Sequence, residues 1–203
     1  MEIKLIFNDL LKQINVLFKK YGFKKQGNTF YKRLNGNWAL VSFQRSIKST
    51  SSEIFFTINL GVYSHTIADF FDAEMAEKKP TIADCHWQVR VGDFVGNGQD
   101  IWWKVNESTN LTILTQEIES LLIKYALPSI EQLISDEQLE NLWCSKLPDQ
   151  LDFRPKLNLA ILLKKSGKID ELKLILKQLE KETEGKATES FFKAVRTDLL
   201  EIN

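Results

Sequence analysis

Residues 28–45 read NTFYKRLNGNWALVSFQR, and this stretch decides the fold. Two runs suited to strands, 28–34 and 37–45, flank Asn35-Gly36. Asn-Gly accepts the left-handed backbone that a two-residue hairpin turn demands, so the two runs predict an antiparallel pair. Residues 53–62 predict a third strand, because Ile54, Phe56, Ile58 and Leu60 alternate with Phe55, Thr57, Asn59 and Gly61. Residues 86–91 and 101–106 read as a fourth and a fifth. Gly92, Gly96 and Gly98 between them suit a longer hairpin.

Helical periodicity brackets these strands. Ile3, Phe7, Leu10, Ile14, Phe18 and Tyr21 recur at three and four, which predicts a helix over 3–21 with Gly22 as its stop. A helical insertion follows the third strand. Thr66 is its expected cap, Ile67, Phe70, Phe71 and Met75 its stripe, and Pro80 its end. After residue 107 the pattern is helical throughout. Ser108 caps one helix, Pro128 restarts or kinks the chain, and Ser135 with Gln138 forms a capping box for a helix through Lys146. Leu147-Pro148 marks a boundary. Beyond it, Pro155 suits a first turn and Gly167 a helix end. A helix over 169–183 carries Leu172, Ile175, Leu176 and Leu179, and a last one carries Phe191, Val195, Leu199 and Ile202.

The expected architecture is α+β. An N-terminal helix packs on a mostly antiparallel sheet of about five strands, and a C-terminal helical region follows. Residues 1–147 make the α+β domain and 148–203 a C-terminal helical appendage. At 203 residues the chain is long enough to fold without disulfides or metal. No apolar run reaches the roughly 20 residues a spanning helix needs. Two cysteines, Cys85 and Cys144, fit free thiols in a reducing cytoplasm. Net charge is zero but unevenly spread. Residues 1–50 hold ten Lys and Arg against two Asp and Glu, a balance of +8. Residues 66–140 hold five against fourteen, a balance of −9. Side by side, two such segments neutralise each other.

The run Tyr21-Gly22-Phe23-Lys24-Lys25-Gln26-Gly27-Asn28-Thr29-Phe30-Tyr31-Lys32-Arg33 resembles a bacterial family known only as a domain of unknown function, DUF4304. Phe43-Gln44-Arg45-Ser46 and Phe56-Thr57-Ile58-Asn59-Leu60-Gly61-Val62 are similar to it as well, and Cys85-His86-Trp87-Gln88-Val89-Arg90 is a third such segment. The resemblance covers about residues 1–126. It implies a bacterial α+β domain and brings no catalytic residues.

The polar residues of the strands are the lead to function. Ser42 with Gln44, Thr57 with Asn59, His86 with Gln88 and Arg90, and Trp102 with Lys104 each share a face within their own strand. A meander lines them up on one surface. Antiparallel sheets commonly leave such a face to solvent. Yet one of Trp102 and Trp103 must point to the less buried side, and exposed tryptophan often anchors a partner. Arg90 offers a fork for carboxylate or phosphate, and Gln44, Asn59 and Gln88 offer paired donors and acceptors.

Other chemistries find less support. Lys19-Lys20, Lys24-Lys25 and Lys32-Arg33 are interleaved with aromatics, but a pI of about 6.8 argues against a nucleic-acid domain. His65 and His86 are the only histidines, and Cys85 beside His86 would point to opposite sides of a strand, so no metal or other cofactor is expected. No Gly-x-Ser-x-Gly elbow is present. Cys144 reads as a core thiol. The expectation is a non-catalytic binding module whose partner is a protein or small ligand, with an immunity-like role as one form. Its contact residues are Gln44, Asn59, His86, Gln88, Arg90 and Trp102. The alternative is a small hydrolase- or transferase-like enzyme using His86 and Arg90.

Overall fold

A computed structural model describes residues 3–95, 99–146 and 150–201. By its contacts the chain forms two compact units, Met1–Tyr63 with Pro80–Ile134, and Ser64–Lys79 with Ser135–Asn203. The boundary expected at Leu147-Pro148 lies outside the described residues.

The first unit is a sheet covered by helices. Its elements are α1 (Ile3–Lys20), β1 (Lys24–Gln26), β2 (Thr29–Leu34), β3 (Asn37–Arg45), β4 (Ile54–Tyr63), β5 (Trp87–Arg90), β6 (Trp103–Val105), α4 (Leu111–Leu121) and α5 (Leu127–Leu133). Every pairing is antiparallel, in the order β1-β2-β3-β4-β5, with β6 also on β4. The Asn35-Gly36 turn has φ of 51° and 91°, the left-handed pair that the dipeptide predicts. The short β1 was not anticipated. Gly27, at φ 57°, turns it back onto β2, and its exposed Lys24 and Lys25 blunt the sheet edge.

The expected hairpin between the fourth and fifth strands does not form. β5 pairs with β4 at Asn59–Val62, and β6 pairs with the same edge of β4 at Ile54–Phe56. The ten-residue β4 is long enough to seat both end to end. A 3-10 turn, Val91–Phe94, ends β5, and Asp93 Oδ2 accepts the Arg90 backbone N–H at 2.9 Å. Gly92 then packs so tightly that a Cβ there would lie 2.5 Å from Gln99 O. Gly96 and Gly98 lie outside the described residues.

The core sits between the sheet and α1. Ile3, Ile6, Phe7, Leu10, Leu11, Ile14, Leu17 and Phe18 are buried on one side of the helix. Each such side chain contributes about 1.5–3 kcal/mol on leaving water, so this stripe dominates the unit's stability. Below it an aromatic row crosses the sheet. Phe18 stacks on Phe30 at 4.2 Å between centroids, Phe43 meets Phe56 at 5.9 Å, and Phe56 meets Trp103 at 5.6 Å. α4 is capped by Asn110, whose Oδ1 accepts Ile113 N–H, while the expected cap Ser108 hydrogen-bonds Asn106 instead. Between α4 and α5 a π-helical turn, Leu122–Ala126, precedes Pro128, where the chain lacks a backbone donor.

The second unit is helical: α2 (His65–Phe71), α3 (Ala73–Ala76), α6 (Asp136–Cys144), α7 (Phe153–Lys165), α8 (Ile169–Thr183) and α9 (Glu189–Leu200). Ser64 caps α2 in place of Thr66, because its Oγ accepts Ile67 N–H at 3.2 Å. Ser135 caps α6 as expected, but the helix ends at Cys144, whose side chain is exposed and not in the core. α7 is buried at every position from Lys156 to Leu163. Lys156 is compensated by an ion pair with Glu182, and the buried carboxylate of Glu140 accepts from Ser166 Oγ at 2.8 Å and from Lys168 Nζ. On α9 the buried stripe is Phe192, Val195 and Leu199. Phe191 faces outward and stacks with Phe71.

Candidate binding site

Alternation along the strands divides the sheet into two faces. Ile54, Phe56, Ile58 and Leu60 enter the core, which places Phe55, Thr57, Asn59 and Gly61 on the opposite side. The register then sets their neighbours. Thr29, Ser42, Asn59 and Arg90 form one row across four strands, and Tyr31, Leu40, Gly61 and Gln88 form the next. Gln44 lies opposite Thr57, and Lys104 opposite Phe55. Trp103 is buried, with its Nε1 donating to Glu117 Oε1 at 2.8 Å, so Trp102 takes the other face and is 41% exposed.

Four of the six sequence-predicted residues meet here. Asn59 Nδ2 donates to Gln44 Oε1 at 2.7 Å. Arg90 lies over the Trp102 ring, 5.7 Å from its centroid, and forms an ion pair with Asp100. Lys104 Nζ pairs with Glu53 Oε1 at 3.1 Å, and Thr29 Oγ1 donates to Ser42 Oγ at 3.0 Å. The side chains are therefore held in place by one another, and the two cations are matched by two carboxylates.

The other two residues lie further along the same face and make other contacts. Gln88 Nε2 donates to the carbonyls of Cys85, at 2.9 Å, and Ala83, at 3.3 Å, which pins the 3-10 turn Ile82–Asp84 onto the sheet. His86 precedes β5, and its ring lies 5.0 Å from that of Tyr63. Tyr63 is six residues along β4 from Thr57, roughly 20 Å at strand rise. His86 and Arg90, four residues apart in the chain, are separated by roughly 13 Å and do not converge on one reacting atom. Cys85 is buried against Gly61, and its Sγ donates to the Thr81 carbonyl at 3.6 Å. Burial, with Asp84 adding to it, pushes this thiol far above its usual range, so it acts as a packing group.

Asp100 and Glu53 were not anticipated. A signal for Asp100 was present: Asp100, Trp102 and Lys104 alternate, which sets the carboxylate beside the tryptophan. Of the basic-aromatic stretch, Phe23 and Phe30 are buried, Lys32 pairs with Glu131 at 3.0 Å and Arg33 lies over Trp38. Among the described residues, no group of three or more His, Cys, Asp or Glu is placed to hold a metal ion, and no helix is long and apolar enough to cross a membrane.

No curated protein and no solved structure matches the chain. A family model does match, over residues 14–132, which span the last two turns of α1, the whole sheet and the helices that follow it up to α5. The chain with this sheet and this polar face belongs to the DUF4304 family, a domain of unknown function.

Proposed function

We propose that the protein is a non-catalytic binding module that engages another protein through the polar face of its sheet, around Gln44, Asn59, Arg90 and Trp102. The observation that carries this reading is the half-exposed Trp102, held under Arg90 and flanked by hydrogen-bonded polar pairs. A large side chain kept in one orientation loses little freedom when a partner covers it, and tryptophan is enriched among residues that dominate binding energy. Arg90 is already matched by Asp100, so its part is to present Trp102, not to capture an anion. The free thiols of Cys85 and Cys144 support a reducing cytoplasm as the setting.

The test is co-purification of a partner with the wild-type chain and with Trp102→Ala and Arg90→Ala. Both substitutions are expected to weaken binding by about 2 kcal/mol or more, with the thermal midpoint little changed. Undiminished recovery of the same partner by both variants contradicts the reading.

A further inference from the structure

The polar face carries three hydrogen-bonding atoms that find no partner within the described protein. Asn59 Nδ2 donates to Gln44 Oε1, so each amide has used one atom on the other. Gln44 Nε2 and Asn59 Oδ1 remain, a donor and an acceptor on two side chains joined by that bond. The third is Thr57 Oγ1. Thr57 is opposite Gln44 in the register and two residues before Asn59 on the same strand. Its side chain is completely buried, and the hydroxyl has no hydrogen-bond partner.

A buried hydroxyl without a partner is costly, and the large majority of such groups are satisfied. Valine has nearly the same shape without that cost, so the hydroxyl at Thr57 calls for an explanation. Its neighbours indicate what would complete it. A donor and an acceptor on joined side chains match an amide, which offers one of each. A carboxylate or phosphate only accepts, and would meet the Asn59 oxygen unfavourably. Net positive charge to offset that is absent from this patch, since Arg90 is matched by Asp100 and Lys104 by Glu53.

We infer that Gln44, Asn59 and Thr57 form a subsite for a neutral amide of the partner protein, with Trp102 beside it to cover the apolar part of the same segment. The amide belongs to an Asn or Gln side chain or to the backbone. Contact begins at the exposed Gln44 and the half-buried Asn59, and it reaches the Thr57 hydroxyl when the flanking side chains part. This subsite rests on the reading that a partner binds this face.

The experiment is an NMR titration of the isotopically labelled full chain with three probes: propionamide for a side-chain amide, N-methylacetamide for a backbone amide, and propionate for an anion. One of the two amides is expected to move the side-chain NH₂ signals of Gln44 and Asn59 and the indole signal of Trp102, with little response to propionate. Whichever amide acts more strongly identifies the source. A response to propionate as large as to either amide, or no response to the amides at these residues, overturns the inference. Thr57→Val is the second arm. It is expected to raise the thermal midpoint by removing the unpartnered hydroxyl and at least to halve the amide-induced shifts. Undiminished shifts in that variant overturn the part assigned to Thr57. If the amides fail while loss of the partner in Trp102→Ala persists, the subsite is wrong and the binding face stands.

Discussion

The two faces of the sheet are made from the same strands and carry different residues. On β3, Val41 and Phe43 are buried against α1, while the alternate residues Ser42 and Gln44 face the other way. On β4, Phe56 and Ile58 enter the core, and Thr57 and Asn59 do not. One side carries the aromatic row and the helix stripe. The other carries a ladder of polar pairs: Thr29 with Ser42, Gln44 with Asn59, Arg90 with Asp100, Lys104 with Glu53. Strand alternation thus separates the residues that hold the domain together from those of the polar face, to which we assign recognition. Neighbouring positions should therefore respond in opposite ways to substitution.

The largest effect on stability is expected on the covered face. Phe56 is fully buried and meets Phe7, Phe43 and Trp103. Phe56→Ala should cost about 3–5 kcal/mol in denaturant unfolding, by lost transfer energy and the cavity left behind. A loss below about 1 kcal/mol would mean that this face is not the core. Gly61 sharpens the comparison, because it lies on the polar face yet is covered. A Cβ there would stand 2.6 Å from Cys85 Sγ and 2.8 Å from Ile82 Cδ1. Gly61→Ala is expected to cost about 1–3 kcal/mol by overpacking, and a neutral result would show that the 82–85 segment gives way easily.

Thiol labelling tests the cover over Gly61 without a mutation. In the native protein the exposed Cys144 should react with iodoacetamide while the buried Cys85, held protonated by its surroundings, stays unmodified until denaturant is added. Equal native rates would contradict the packing of Cys85 under Gly61. The smallest effect on stability is expected at Trp102. Trp102→Ala removes the contact with Arg90, worth about 0.5–1 kcal/mol, and the covered part of a ring that is already 41% exposed, although it is expected to be the most damaging change for binding.

Much of this division was legible in the sequence. The Asn35-Gly36 turn set the register of β2 and β3, and alternation then assigned residues 54–61 of β4 to a face. The connection between β5 and β6 was not legible. It depends on the length of β4 and on the close approach of Gly92 to residues 99–101, which are tertiary facts. Helix caps were off by two residues at Ser64 and Asn110, where neighbouring hydroxyl and amide side chains offered competing partners. For the candidate site, alternation set Gln44, Asn59 and Arg90 on one face, which is where the register places them. It could not show that His86 lies at the other end of the face, since its position depends on which part of β4 the strand beside it pairs with. Nor did it show that Arg90 is answered by Asp100, because a loop must fold back to bring them together.

The central claim is that recognition belongs to the polar face. Its most direct measurement is site-specific photo-crosslinking of the full chain in cells, with the photoreactive side chain at Gln44 in one sample and at Val16, 60% exposed on α1, in the other. The partner that co-purifies with the wild-type protein should form a covalent adduct from position 44 and none from position 16. An adduct from position 16 alone would contradict the account.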